Sequence, residues 1–505
     1  MTLSRSMLID GQLVEARSGE GYPNINPATE VTLGSAPDAR GPDVEAALTA
    51  ARRAFDESAW ATDRDLRVRC LRQLHEAALN HLDELIELTI AEAGAPRMLC
   101  DGPQVRNPID YLSFNAEVAE TYQWTEQLGD MDTLAGPANR WIEREPIGVV
   151  AAITPWNFPT QINLAKVAPA LAAGCSVILK PAPDTPWSAT ALGHLAAEYT
   201  DMPAGVLNVV TSADKSIGEL LTRDPRVDMV SFTGSTATGR LVMKSAADTI
   251  KKVFLELGGK SAYLVLDDVE DIAAAIAMAA FGVCTHAGQG CAITTRLLLP
   301  RSRYDEGVEA VAALLASVEP GDPSDPATMT GPLINASQRD RVQDYVDHGV
   351  AAGARVVVGG GRPEPHPVGF FFEPTLLADV TNDMAVAQEE IFGPVLVAIP
   401  YDDTDDAVAI ANDSPYGLSA SVVSDNAERA ISVGRRIRTG TMSINGGIWY
   451  GPDVPFGGYK QSGVGREMGR AGFEEYHETK AFARPATRAR WGSDPKRAHS
   501  GRRTG

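Results

Sequence analysis

From about residue 147 onward the chain alternates short apolar runs with amphipathic ones, and this rhythm limits the folds open to it. GVVAAIT (148–154), SVILK (176–180), VLNVVT (206–211), VDMVSFT (227–233) and KKVFLELG (251–258) are strand-like. LAKVAPALAAG (164–174), PWSATALGHLAAEY (186–199), IGELLTR (217–223) and TATGRLVMKSAA (236–247) lie between them with helical spacing. Parallel strands need a crossover that a helix supplies, so strict alternation predicts a parallel sheet covered by helices on both faces. A second series follows, with strands at 261–268, 295–300, 418–424 and 439–445 and helices at 269–285, 305–318 and 427–437. The fold class is therefore α/β. At 505 residues the chain is too long for one hydrophobic core, and two or three domains are expected.

Residues 42–95 read as helices, with 71–94 as one segment that Gly94 stops. No internal repeat of fixed period is present. From Arg484 the sequence holds seven Lys/Arg and one acid, Asp494, without apolar period, and 491–505 reads as a disordered tail without assigned function.

Charge and cysteines narrow the possible partners. A formal net charge of −21 repels nucleic acid and anionic membranes, so neither is expected as a partner. The five cysteines (Cys70, Cys100, Cys175, Cys284, Cys291) form no CxxC pair, which argues against a disulfide scaffold or structural zinc. The N-terminal MTLSRSMLIDGQLVEA has no apolar h-region, and no run of about 18 apolar residues occurs. A reducing cytoplasm is the expected location.

Several motifs can carry chemistry. HAGQGCAITTR (286–296) sets Cys291 between Gly290 and Ala292, and LELGGKS carries Glu256 upstream. A thiol and a carboxylate that serves it suit covalent chemistry at a carbonyl, although a lone cysteine is more often a small buried hydrophobe. TPWNFP (154–159) follows a strand, where α/β sheets place ligands. The Asn157 amide there can donate to an oxyanion or close an Asx turn. ILKPAP (178–183) brings Lys180 to the same rim. FTGSTATG (232–239) opens a helix, where N–H groups attract phosphate and Gly234 allows close approach; the alternative is a plain cap. GGKS (258–261) is no Walker A loop, because position 254 is Phe254 instead of glycine. GVGRE (463–467) is no dinucleotide fingerprint either. EEIFGPV (389–395) and PFGGYKQSGVGRE (455–467) look like binding loops.

Taken in order, PWNFP, LKPA, FTGS, LELGGK, GQGC, EEIFGPV and PFGGYKQSGVGRE closely resemble the aldehyde dehydrogenase superfamily, from about residue 8 to about 483. The resemblance implies a Rossmann-like NAD(P)-binding domain from 1–126 and 147–258, and an α/β catalytic domain over 259–460. It also implies a small β oligomerisation flap from 127–146 and 470–490, and hence a homodimer or homotetramer.

The resemblance further implies that Cys291 attacks an aldehyde, and that Asn157 with the Cys291 N–H holds the oxyanion. Glu256 then activates the water that hydrolyses a thioester, with Lys166 and Glu467 as a proton relay. NAD would be held by Lys180 at the ribose, Ser235 at the pyrophosphate and Glu390 at the nicotinamide ribose. Phe392, Trp156, Ile153, Thr154, Gly234 and Pro183 complete that site, and no metal is required. Pro183 departs from the Glu of many NAD-preferring relatives, so NADP is possible. No further Arg or Lys stands beside Lys180 in sequence to pair with a 2′-phosphate, which favours NAD. Ala165 replaces a bulky aromatic of many relatives. With Phe158, Trp449, Tyr450 and Phe456 as walls, and Tyr111 and Phe114 further out, this points to medium-chain, branched or aromatic aldehydes. Thiol esterase activity, using Cys291 and Glu256 without a cofactor, is expected as a side reaction at most, and two other classes stay open. A CoA-acylating enzyme generally lacks the Glu found here at 256, and a catalytically silent binding or structural protein would have lost Cys291 or Glu256.

Overall fold

The computed structural model describes residues 3–486. The tail at 491–505 lies outside them, as do the last four residues of the expected flap segment 470–490.

The first alternating series forms an eight-stranded sheet in the order β19-β11-β10-β7-β8-β9-β1-β2. Its parallel centre comprises β7 (Val149–Ile153), β8 (Ser176–Lys180), β9 (Leu207–Val209), β10 (Met229–Thr233) and β11 (Lys252–Glu256). These strands are almost wholly buried, as expected where helices cover both faces. The edges are antiparallel and were not foreseen. β1 (Met7–Ile9) and β2 (Gln12–Val14) close one side, and β19 (Gly463–Val464) pairs with β11 on the other. Three-residue and two-residue strands are too short to show a period of two. β3 (Gly21–Ile25) and β4 (Thr32–Pro37) form a separate hairpin.

The second series forms a seven-stranded sheet in the order β14-β15-β16-β13-β12-β17-β18. It uses β12 (Ser261–Val265), β13 (Thr294–Pro300), β14 (Arg355–Val358), β15 (Thr375–Ala378), β16 (Val395–Tyr401), β17 (Ser419–Val423) and β18 (Thr441–Ile444). All neighbours are parallel except β14 and β15. An antiparallel sheet of β5 (Thr125–Thr133), β6 (Gly136–Pro146) and β20 (His477–Pro485) stands apart. Arg484 and Pro485 pair with Asn139 and Ala138, so ordered strand continues past the residue at which the basic tail begins.

The helices refine two boundaries. The segment 71–94 is broken at His81, between Arg64–Asn80 and Leu82–Ala93. The His81 ring Nδ1 lies 2.9 Å from the Ala77 carbonyl, a side-chain contact that competes with helical continuation. Gly94 ends the second helix in the left-handed conformation at φ 64°. The helix after PWNFP starts earlier than its apolar period suggests, at Pro159, where proline suits a first turn. Among the described residues no helix is long and apolar enough to cross a membrane.

Candidate active site

Strand ends of the first sheet and loops of the second meet at a cavity of about 860 Å³. Trp156, Asn157, Gly234, Ser235, Glu256, Cys291, Glu390 and Phe392 all line it. Residues from five separate motifs thus share one chamber.

Two adjacent glycines make the junction possible. A Cβ on Gly258 would lie 2.5 Å from Glu390 Oε2, and one on Gly259 would lie 2.3 Å from the Cys291 carbonyl oxygen. The Gly259 N–H also donates to Glu390 Oε1 at 3.0 Å. GGKS is therefore a packing hinge between two sheets, which explains its glycines without a phosphate loop. The loop before Cys291 is tightly wound. His286, Ala287 and Gly288 all adopt positive φ (46°, 51° and 71°), and at Gly288 the Gly393 carbonyl leaves no room for a Cβ. Consecutive left-handed residues cost energy outside glycine, so surrounding contacts must hold this turn.

Asn157 does not close a local Asx turn. It is buried, and its Nδ2 donates 2.8 Å to the Gln289 carbonyl. The amide's other N–H remains available for an oxyanion. Gln104 Nε2 donates to the Asn157 carbonyl at 2.9 Å. Gln289 itself is tied down, accepting from Ile334 N–H and donating to the His286 carbonyl. Gln104 and Gln289 are positioning residues absent from the expected set. Gln104 gives no sequence signal, whereas Gln289 stands inside the motif.

Glu256 ends β11 and is 1% exposed, and neither carboxylate oxygen has a hydrogen-bond partner among the described residues. Burial first, then the charge of Glu467, pushes its carboxyl well above the usual range. Lys166 is fully buried and donates to Glu467 Oε1 at 2.9 Å and Ser231 Oγ at 3.2 Å. The Cys291 thiol is also pushed up, by burial and then by Glu390, Glu256 and Glu467. Glu390 is raised to about 7, chiefly by burial. Two of the acids that raise the thiol, Glu256 and Glu390, thus hold a proton more readily than an exposed carboxylate does.

At the far end, Ser235 caps the helix Thr236–Ala246 by accepting from Thr238 N–H, so the cap expectation holds locally. Gly234 serves the fold as well as any ligand: a Cβ there would meet the Phe232 ring at 2.6 Å, and its N–H donates to the Glu256 carbonyl. Phe392, at φ 62°, stands edge-on to Trp156 with ring centres 5.3 Å apart. Lys180 is buried, donates to the Pro181 carbonyl and is lowered to about 8 by burial. Lys180, Pro183, Ile153 and Thr154 support the cavity without lining it. Thr154 N–H bonds the Lys180 carbonyl, and its hydroxyl bonds Asn163.

No further Arg or Lys stands beside Lys180 in sequence, but Lys215 lines the cavity from the start of the helix Ser216–Arg223. It is distant along the chain, so inspection of neighbours in sequence could not find it.

The aromatic residues gather on another side of Cys291 and do not line this chamber. Trp449 stacks on Phe456 at 5.8 Å, and Tyr450 shares a 2.7 Å hydrogen bond with Tyr111 and accepts from Gln161. Ala165, buried, belongs to the same apolar cluster, against which Cys291, Trp449 and Tyr450 pack. Phe158 stands edge-on to His286.

The model of the aldehyde dehydrogenase family matches residues 13–482. The chain belongs to the aldehyde dehydrogenase family. It is 42% identical to a 3-succinoylsemialdehyde-pyridine dehydrogenase of Pseudomonas sp over 94% of this chain and 98% of that one. An aldehyde dehydrogenase from Mycobacterium tuberculosis, complexed with NAD+, superposes with TM-score 0.90 at 44% identity, covering 94% of this chain and 97% of the other. Aldehyde dehydrogenase C from Pseudomonas syringae, solved as a cysteine-to-alanine mutant with NAD+ and octanal, gives TM-score 0.89 at 39% identity over 94% and 96%. The α/β fold with a Rossmann-like sheet and the general reaction class, aldehyde oxidation by an oxidoreductase, follow from membership.

Proposed function

We propose that this chain oxidises an aldehyde to a carboxylic acid with NAD+, or NADP+, and releases the product by hydrolysis. The observation that carries the reading is that Cys291, Asn157, Glu256 and Glu390 line one cavity. The residues fit a dinucleotide, because the chamber runs from Cys291 to Ser235 and Lys215 along strand ends and a helix start. Bound nicotinamide supplies the hydride acceptor.

The chain's own residues do the rest. Cys291 gives its proton to a nearby carboxylate and its sulfur bonds the carbonyl carbon, forming a thiohemiacetal. Asn157 Nδ2 and the Cys291 N–H hold the oxygen that gains charge. Loss of hydride from that carbon leaves a thioester on Cys291. Glu256 then takes a proton from water, the hydroxide bonds the thioester carbon, and the sulfur departs as the acid forms. Its raised proton affinity makes ionised Glu256 a stronger base. Glu467 and Lys166 carry the proton onward. An intact Glu256 favours water over CoA as the acyl acceptor.

The small Ala165 and the Trp449–Phe456 stack favour medium-chain, branched or aromatic aldehydes. The octanal of one structural relative and the pyridine-bearing substrate in the name of another agree with that preference. The sheet of β5, β6 and β20, with exposed β5 at its edge, supports self-association. A reducing cytoplasm suits the free thiol.

The test mixes protein with an aldehyde panel and NAD+ or NADP+, following reduced nicotinamide, with Cys291→Ala as control. Reduction without CoA, lost in the variant, supports the proposal, and octanal outrunning acetaldehyde supports the substrate class. Reduction only when CoA is added would overturn the hydrolytic step.

A further inference from the structure

A much smaller cavity, of about 10 Å³, lies near the amino ends of β12, β17 and β18 and has room for one water-sized sphere. Three cations line it, Lys260, Arg296 and Arg438, and no Asp or Glu does. In a chain with 66 acidic residues against 45 Lys and Arg, composition alone would put acids there. The cations also hold donors that nothing uses. Lys260 is 2% exposed, and its ammonium, with three protons to give, has no hydrogen-bond partner among the described residues. Arg296 is 1% exposed and has no ion pair among the described residues. Its Nε donates to the Lys260 carbonyl, Nη1 to Asn382 Oδ1 and the Ile410 carbonyl, and Nη2 to the Ala411 carbonyl. One Nη2 proton is left over. Arg438, exposed, engages Asn412 only through its backbone N–H, and its guanidinium has no partner among the described residues.

Two cations buried side by side without a counter-charge are costly. Burial and then Arg296 lower the Lys260 ammonium to about 7. The acids within electrostatic reach do not pair with them. Lys260 feels Glu390 and Glu389, and Arg296 feels Asp413. Glu390 accepts from Gly259 N–H, Glu389 from the Tyr345 hydroxyl and Asp413 from Asn382 Nδ2. Lys460 adds further positive charge beside Arg438 and Arg296, and its own ammonium is held by the Asn412 and Ser414 carbonyls. The missing charge is therefore negative, and the space left for it suits a single-atom ion. A phosphate or carboxylate group exceeds that space, and a water would accept from the free donors without offsetting the charge.

We propose that this cavity is a halide site, in which chloride sits among Lys260, Arg296 and Arg438, one residue beyond the Gly258–Gly259 hinge. Crystals of the full chain grown with sodium bromide test it, by anomalous diffraction at the bromine edge. In parallel, the apparent Tm is followed as sodium chloride replaces sodium gluconate at constant ionic strength, gluconate being too large to enter. The expected results are a bromide peak in this cavity and a saturable rise in Tm of about 1–3 °C. In Lys260→Met, which keeps the bulk and drops the charge, peak and rise are both lost. If that variant does not fold, the exposed Arg438→Gln serves instead, and its half-saturating chloride concentration rises about threefold or more. Absence of a bromide peak from the wild-type cavity overturns the proposal. So does a peak without the saturable rise, which marks an adventitious ion only. A rise of full size in Lys260→Met, or an unchanged half-saturation in Arg438→Gln, overturns it as well.

Discussion

Replacing Lys166 or Glu467 tests the catalytic reading through two signs and one magnitude. Lys166 is fully buried and the Glu467 side chain is 7% exposed, with 2.9 Å between them. Lys166→Met leaves a buried carboxylate without its partner, which costs about 3–5 kcal/mol of stability. Glu467→Gln leaves the ammonium an amide oxygen and Ser231 as acceptors, so its cost is smaller. The double variant Lys166→Met with Glu467→Gln removes both charges and recovers much of the loss, and urea denaturation measures all three. The kinetic signs follow from Glu256, whose carboxyl is raised by burial and Glu467 and lowered by Lys166. Glu467→Gln therefore lowers the proton affinity of Glu256, and the rising limb of thioester hydrolysis moves to lower pH. Lys166→Met moves it to higher pH. Stopped-flow separation of the hydride burst from steady-state turnover isolates that limb. Movement of both limbs in one direction, or a Lys166→Met cost below about 1 kcal/mol, would refute the coupling.

Three further outcomes are expected. Glu390→Gln removes a negative charge that raises the Cys291 thiol, so iodoacetamide labels it faster than wild type at pH 8; because Glu390 titrates near 7, the difference shrinks at pH 6. Ala165→Phe overfills a buried site at a cost of about 1–3 kcal/mol by denaturation. It also lowers kcat/KM for octanal more than for acetaldehyde if Ala165 gives the pocket its room. Glu92, fully buried, accepts from Trp187 N–H, Ser188 N–H, the Ser188 hydroxyl and Asn24, so Glu92→Ala strands these donors and costs at least about 1–3 kcal/mol in the same assay.

The alternating strands and helices were legible because burial on both faces leaves unbroken apolar runs, as in SVILK, which matches β8 residue for residue. The edge strands β1, β2 and β19 were not, since two or three residues carry no period. β14 to β16 went unread among loops rich in glycine and proline. Cys291, Asn157 and Glu256 stood out because each interrupts an apolar or glycine-rich motif with a group that can react or donate. Gln104 and Lys215 were hidden for a different reason. Each is ordinary in its own segment and gains meaning only from elements packed against it.

The two-residue strand β19 has a consequence for synthesis. It pairs with Leu255 and Glu256, while Ser462 bonds Leu257 N–H and the Gly258 carbonyl. Glu256 is thus seated by residues translated some two hundred codons after it. A nascent chain carries Cys291 and Glu256 long before the clasp that holds Glu256 exists. This clasp therefore matures late, ahead of the strand β20 that completes the β5–β6 sheet, and products truncated before Gly463 leave the ribosome with the β11 edge bare.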